Sequence, residues 1–464
     1  MRTSRVAAIA VASIVSVAIV VAYAVHRGGG APSATPSLSP TIAPLPMSSP
    51  RPSVLAPLAS TAAVPTPAAM RANLSAAAAR VAAGATLVGE VIDARTGARL
   101  WSRAPRRAQP PASTAKLLTA AAALRDLGPA YRLPTQTRLV GRTVYLVGGG
   151  DPTIVRGPSS AVVSTYPTPA RLSTLAKETA AALGPGRRVR LRLDTSAWAG
   201  PALARGWKAS YLTEGDIAPP SPLEVDEGRL DPDSEYSPRT ANPAAQAGEV
   251  FATLLAQDGV QVIGATRAGT APAAARTVAQ VHSPPVAALV QQMLTESDDD
   301  LAEALGRAVA IQDHRPATFH GAAAAVTSSV AALGVPIDGL VLHDASGLSH
   351  RDRVAPRTLT AVLRLATSPA QPRMRPIIEG LPVAGLTGTL ALRYLGGPSR
   401  RAAGVLRAKT GTLSGVNALA GQVVDRSGRL LIFDFQASNV SVPGETVPAL
   451  DTLASRLEHC GCTG

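Results

Sequence analysis

The chain has 464 residues and a formal net charge of +14, from 45 Lys and Arg against 31 Asp and Glu. That length holds two or three domains with sizeable cores. Its arginines are scattered, aromatics make up only 3% of residues and no nucleic-acid-binding motif is present, so the positive balance suits anionic cell-envelope polymers and no nucleic-acid partner is expected.

In chain order, Arg2 and Arg5 precede an apolar run from Val6 to Val25. About 20 apolar residues suffice to span a bilayer as a helix. Ala22-Tyr23-Ala24 also resembles a cleavage site. Residues 1–27 therefore read as a signal anchor or a signal peptide, and the body is expected outside the cytoplasm, held at the membrane or secreted. Residues 28–68 are Pro, Ser, Ala and Thr with almost no charge, the composition of a disordered linker. A helical Ala/Arg stretch follows, Arg71 to Ala83. Thr86–Asp93 and Arg99–Trp101, joined across Arg95-Thr96-Gly97, read as a β-hairpin. Pro110-Pro111 then breaks the chain and starts a helix expected from Ser113 to about Leu127.

Residues 131–284 change character. Short strands such as Thr143–Val147 and Val189–Leu193 alternate with Gly/Pro-rich turns, which predicts an inserted, mainly-β domain. Helices return at Val286–Thr295 and Leu301–Ile311. Two strands, Val416–Asp425 and Arg429–Ser438, precede a last helix, Val447–His459. Strands at both ends of the body predict an α+β catalytic domain made of 69–130 and 285–464, with an antiparallel sheet flanked by helices.

The chemistry concentrates in a few residues. The chain has four lysines, Lys116, Lys177, Lys208 and Lys409, and two of them sit in motifs. In Ser113-Thr114-Ala115-Lys116 the lysine lies one turn from the serine. A lysine whose pKa is lowered by desolvation can take a serine proton, whereas arginine cannot. The serine's own N–H, at a helix start, suits an oxyanion. Near the other end, Lys409-Thr410-Gly411-Thr412 places an ammonium and two hydroxyls where a carboxylate can be held, with a glycine that permits close approach. Ser297-Asp298-Asp299-Asp300 opens a helix as an acidic N-cap. The seven histidines show no metal-ligand spacing, so no metal or cofactor is expected. Cys460 and Cys462 form a lone C-x-C without the four ligands a zinc site needs.

Ser-x-x-Lys followed far downstream by Lys-Thr-Gly is the motif pair of β-lactamases and penicillin-binding proteins. With Ser297 between them, the order resembles D-alanyl-D-alanine carboxypeptidases and endopeptidases of the penicillin-binding protein 4 type, the low-molecular-mass class C. Gly148–Pro152, Asp344–Ser349 and Leu381–Thr389 resemble further segments of that family, so the likeness covers roughly residues 70 to 460. It implies a serine β-lactamase/transpeptidase-like fold and a serine peptidase acting on peptidoglycan stem peptides ending in D-Ala-D-Ala, with β-lactams as inhibitors. It implies Ser113 as nucleophile, Lys116 as base, Ser297 as proton relay, and Lys409, Thr410, Gly411 and Thr412 as the substrate-binding strand. Asp299 departs from the pattern, because the family has Asn there. That departure keeps a second reading open, a catalytically weak or inactive peptidoglycan-binding scaffold of the same fold.

Overall fold

The computed structural model describes residues 61–157, 166–234 and 237–461. The apolar run at residues 6–25 lies outside these, as does the linker up to residue 60. No helix among the described residues is long and apolar enough to cross a membrane.

Helix α1 (Pro67–Gly84) begins before the expected Arg71 and takes in the last two residues of the expected linker. The reason is local: Thr66 Oγ1 accepts from Ala69 N at 3.2 Å and Pro67 occupies the first turn, where its missing N–H costs nothing. Strands β1 (Thr86–Asp93) and β2 (Arg99–Arg103) form the expected hairpin, and helix α2 (Lys116–Asp126) follows a 3₁₀ turn. Residues 131–284 supply β3 (Pro134–Val140), β4 (Thr143–Val147), α3 (Leu172–Leu183), β5 (Arg188–Asp194), the single turn α4 (Tyr211–Glu214), α5 (Pro243–Gln257), β6 (Gln261–Val262), β7 (Arg267–Ala268) and β8 (Arg276–His282). Then come α6 (Val286–Glu296), α7 (Asp299–Gln312), α8 (Phe319–Ala332), α9 (Pro356–Thr367) and short α10 (Arg375–Glu379). The chain closes with β9 (Arg407–Leu413), β10 (Val416–Val424), β11 (Leu430–Ser438) and α11 (Pro443–Glu458).

These elements build two sheets. The first is antiparallel, in the order β2-β1-β11-β10-β9. Its central strands β1 and β11 are buried along nearly their whole length, because both faces are covered. Alternation along β11 shows the two sides. Phe433 and Phe435 join Met70 and Leu74 of α1 and Leu453 and Leu457 of α11. Ile432 joins Leu117 and Leu118 of α2, Met293 of α6 and Leu305 of α7. Phe435 also meets Trp101 of β2 edge-on, with ring centroids 5.7 Å apart. The expected α+β layering, an antiparallel sheet between helices, is therefore present.

The second sheet runs β6-β5-β4-β3-β8, with β7 also on β5. It is mixed: β3 pairs antiparallel with β4 and β8, while β5 runs parallel to β4, β6 and β7. The connection from β4 to β5 carries α3, which with α5 buries Leu175, Phe251 and Leu255 against Val144, Leu146 and Leu191. At the C-terminal end Cys460 is buried with Sγ 4.0 Å from Met70 Sδ, and Cys462 lies outside the described residues.

Candidate active site

Ser113 is not the first residue of an α-helix, as the sequence suggested. It sits in the 3₁₀ turn Ala112–Ala115, and α2 starts only at Lys116. Two glycines explain the tight turn. Gly347 stands with φ of +84°, and a Cβ there would lie 2.1 Å from the Ala112 carbonyl oxygen. A Cβ on Gly411 would lie 2.8 Å from the Pro111 oxygen. Backbone packs directly on backbone from both sides, and Ala112 is held at a positive φ of 48°. In 3₁₀ geometry residues three apart eclipse, which aligns Ser113 with Lys116.

Lys116 is fully buried. Its Nζ donates to Ser113 Oγ at 3.1 Å, Asp299 Oδ1 at 2.5 Å and the Ser346 carbonyl at 2.9 Å. Three partners use all three donors of an ammonium. Lys409, also fully buried, lies on edge strand β9 and donates to the Thr410 carbonyl at 3.0 Å. Burial, reinforced by the Lys116 charge, holds the Lys409 amine well below its ordinary range. The Thr410 hydroxyl pairs with that of Thr389 at 2.8 Å. The sheet order thus brings Lys409, Thr410, Gly411 and Thr412 beside Ser113 from far away in the sequence.

Helix α6 ends at Ser297, a left-handed residue with φ of 64°. The reversal aims the next helix back: Asp298 caps α7, its Oδ1 accepting from Leu301 N at 2.8 Å, and Asp299 becomes the first helical residue. This start, two residues before the expected Leu301, puts Asp299 against Lys116. Burial raises the Asp299 carboxyl above its usual range, opposed by the Lys116 ammonium. Behind it, burial and the Glu227 carboxylate push Asp298 up to about 8.

Some supporting residues have no motif to announce them. Glu303, buried on α7, accepts from Ala345 N at 2.8 Å and Ser346 N at 2.9 Å through Oε1. Its other oxygen pairs with buried Arg307 at 2.8 Å, whose guanidinium covers the Phe319 ring at 4.3 Å. That chain fixes the Ser346 carbonyl on Lys116. Asp344 accepts from Gly347 N at 2.8 Å and Ser349 N at 2.7 Å, closing the Asp344–Ser349 loop.

Ser113, Ser297, Asp299, Thr410 and Thr412 open onto one cleft of about 1520 Å³, also lined by Tyr211 and Leu348. A hydroxyl beside a buried amine, under a strand carrying a second buried amine, can perform nucleophilic acyl transfer without a metal ligand of its own.

This architecture is an α+β fold of the penicillin-binding kind, and comparison with known proteins specifies the group. The chain belongs to the D-Ala-D-Ala carboxypeptidase 3 (S13) family, whose model matches residues 70–237 and 232–457. It is 38% identical to a carboxypeptidase of Mycobacterium tuberculosis over 94% of this chain and 92% of that one. It is 41% identical to the carboxypeptidase DacB of Mycolicibacterium smegmatis over 81% of each. Among solved structures, penicillin binding protein 4 of Haemophilus influenzae superposes with a TM-score of 0.71 at 21% identity, covering 83% of this chain and 99% of that one, a likeness of fold.

Proposed function

We propose that this protein is a serine-type D-alanyl-D-alanine carboxypeptidase that trims peptidoglycan stem peptides outside the cytoplasm, and that its nucleophile also takes up penicillins. One observation carries the reading: Lys116 Nζ lies 3.1 Å from Ser113 Oγ inside a cleft that also holds the Lys409 strand. Lys116 takes the hydroxyl proton as Ser113 Oγ attacks the carbonyl carbon between the two D-alanines. The N–H groups of Ser113 and Thr412 stabilise the oxyanion. The C–N bond breaks, and Ser297 relays a proton to the departing amine. Lys409, Thr410 and Thr412 hold the leaving D-alanine's carboxylate, and water hydrolyses the ester on Ser113. Cleavage of cross-links is the same chemistry on a longer leaving group.

A second reading has its own observation. The Asp299 carboxylate, 2.5 Å from Nζ, stabilises the ammonium, and a charged lysine is no base. In that reading the protein binds peptidoglycan as a scaffold and turns over slowly or not at all.

The deciding experiment is intact-mass analysis after benzylpenicillin, beside assay of D-alanine release from a D-Ala-D-Ala peptide. We expect one penicilloyl adduct on the wild type, none on Ser113→Ala, and D-alanine released only by the former. A wild type whose mass is unchanged after prolonged incubation, with no D-alanine released, rejects the enzyme and leaves the scaffold.

A further inference from the structure

Glu227, Asp298 and Asp300 present carboxylate oxygens within 4.8 Å of one another, beside the cleft and immediately behind Asp299. Two segments distant in sequence meet there, residues 217–229 and 298–300. Asp298 gives one oxygen to Leu301 N and Asp300 gives one to Ala218 N at 3.0 Å. Glu227 Oε2 pairs with Arg229 at 2.6 Å and lies 3.5 Å from Arg239. Each carboxylate keeps a second oxygen that no described hydrogen bond engages.

A fourth carboxylate points to an occupant. Glu224 is 97% buried, and its Oε1 has no hydrogen-bond partner among the described residues. That oxygen lies 3.2 Å from where a Cβ on Gly228 would stand, next to Glu227. It therefore adjoins the group formed by Glu227, Asp298 and Asp300. Burying an ionised carboxylate without a partner costs several kcal/mol, and it normally persists only when a cation or donor answers it. Four carboxyl groups gather here against two guanidiniums, Arg229 and Arg239, and a divalent cation would let all four ionise together.

We propose that Glu224, Glu227, Asp298 and Asp300 form a site for a divalent cation of the calcium type. The ligand set is all oxygen, which suits a hard cation. Ca²⁺ binds oxygens at about 2.3–2.6 Å, so oxygens on opposite sides of one ion stand roughly 5 Å apart, whereas the smaller Mg²⁺ draws them within about 4.2 Å. Oxygens that all lie within 4.8 Å of one another can reach a single ion of the calcium size. Two ligands flank Asp299, so the ion pins the first turn of α7 to residues 217–229 and positions Asp299 and Ser297. That positioning role rests on the function proposed above, while cation binding itself does not.

The test is isothermal titration calorimetry of CaCl₂ into the full chain after chelation, with thermal unfolding as a second readout and MgCl₂ as a parallel titrant. We expect one Ca²⁺ per chain with a dissociation constant in the range ~10⁻⁵–10⁻³ M, tighter than Mg²⁺, and a melting temperature that rises with Ca²⁺ and returns with EDTA. Asp298→Asn keeps the helix cap while removing a charged ligand, and should weaken binding at least tenfold. Glu224→Gln should do the same, while Glu249→Gln, on the exposed side of α5, should leave it unchanged. No binding to the wild type at about 5 mM Ca²⁺ overturns the proposal whatever the variants do. So does wild-type binding that both cluster variants retain. Because the readout is calorimetric, failure here leaves penicillin labelling of Ser113 untouched, and failure of that labelling leaves this site untouched.

Discussion

Asp299 and Lys409 are the two charged residues of the cleft whose chemistry can be read out separately. A carboxylate at 2.5 Å favours the Lys116 ammonium, whereas an amide in the same place would not. Asp299→Asn should therefore acylate with penicillin faster than wild type at neutral pH, each tenfold gain corresponding to about 1.4 kcal/mol of barrier. Second-order acylation rates for both proteins check this, and a slower Asn variant means that Asp299 works as a protonated donor. Lys409 makes a pH prediction. Its amine sits well below the ordinary lysine range because it is buried and near Lys116, so it loses its positive charge at a lower pH than a free lysine. The direction is definite: affinity for a peptide ending in a carboxylate should fall as pH rises, starting below the usual lysine titration. A C-terminal amide analogue should show no such fall, and Lys409→Ala should abolish the difference between the two. KM measured for both peptides across the alkaline range reads it out.

At the scale of elements, the pairing of β1 with β11 carries a clasp at one end. Arg429 donates to Asp93 through Nε and, at 2.9 Å, through Nη2, while Asp93 Oδ1 accepts from Thr96 N at 2.6 Å and closes the β1–β2 turn. Burial alone would raise the Asp93 carboxyl, but the bonds from Arg429 and Thr96 outweigh it and hold it at about 2. A depressed carboxyl contributes stability that is complete above its unfolded value of about 3.9 and is lost as pH falls toward 2. Denaturant melts of the wild type should show this acid-side loss. Asp93→Asn should flatten the slope between about pH 4 and 2 and cost roughly 1–3 kcal/mol at neutral pH, since Arg429 stays buried with its partner weakened. An unchanged slope would show that the clasp is not coupled to folding. The elements themselves were largely legible. Apolar runs marked β1, β10 and β11, whereas the expected starts of α1 at Arg71 and of the next helix at Ser113 were each displaced, to Pro67 and Lys116. The 3₁₀ turn under Ser113 was not legible, because it is imposed by Gly347 and Gly411, far away in sequence. The start of α7 at Asp299 was missed because apolar spacing begins at Leu301, while the cap is made by Asp298.

Across the whole molecule, the segment between β5 and α5 reaches over to the catalytic loops. Trp207 Nε1 donates to Asp344 at 2.7 Å, Ser349 Oγ donates to the Arg205 carbonyl at 2.7 Å and Lys208 Nζ to Ser414 Oγ at 2.5 Å. Residues 131–284 thus help wall the cleft. Of the residues proposed to act, Ser113, Lys116 and Lys409 could be picked out from sequence because short motifs carry them. Glu303, Ser346 and the Glu227 cluster could not, since their meaning lies in contacts between residues tens to hundreds of positions apart. The strand order β2-β1-β11-β10-β9 has one more consequence, for the timing of synthesis. A chain made from its N-terminus produces the β1–β2 hairpin and Ser113 well before β1's partner at 430–438 and the Lys409 strand at 407–413. The half-made hairpin has one bare edge and no second face to its core, and contacts this distant form slowly. On the function proposed above, Ser113 is therefore carried by a nascent chain that lacks its partner strand until residues 407–413 have been joined, so the proposed nucleophile stays idle over that stretch of its own manufacture.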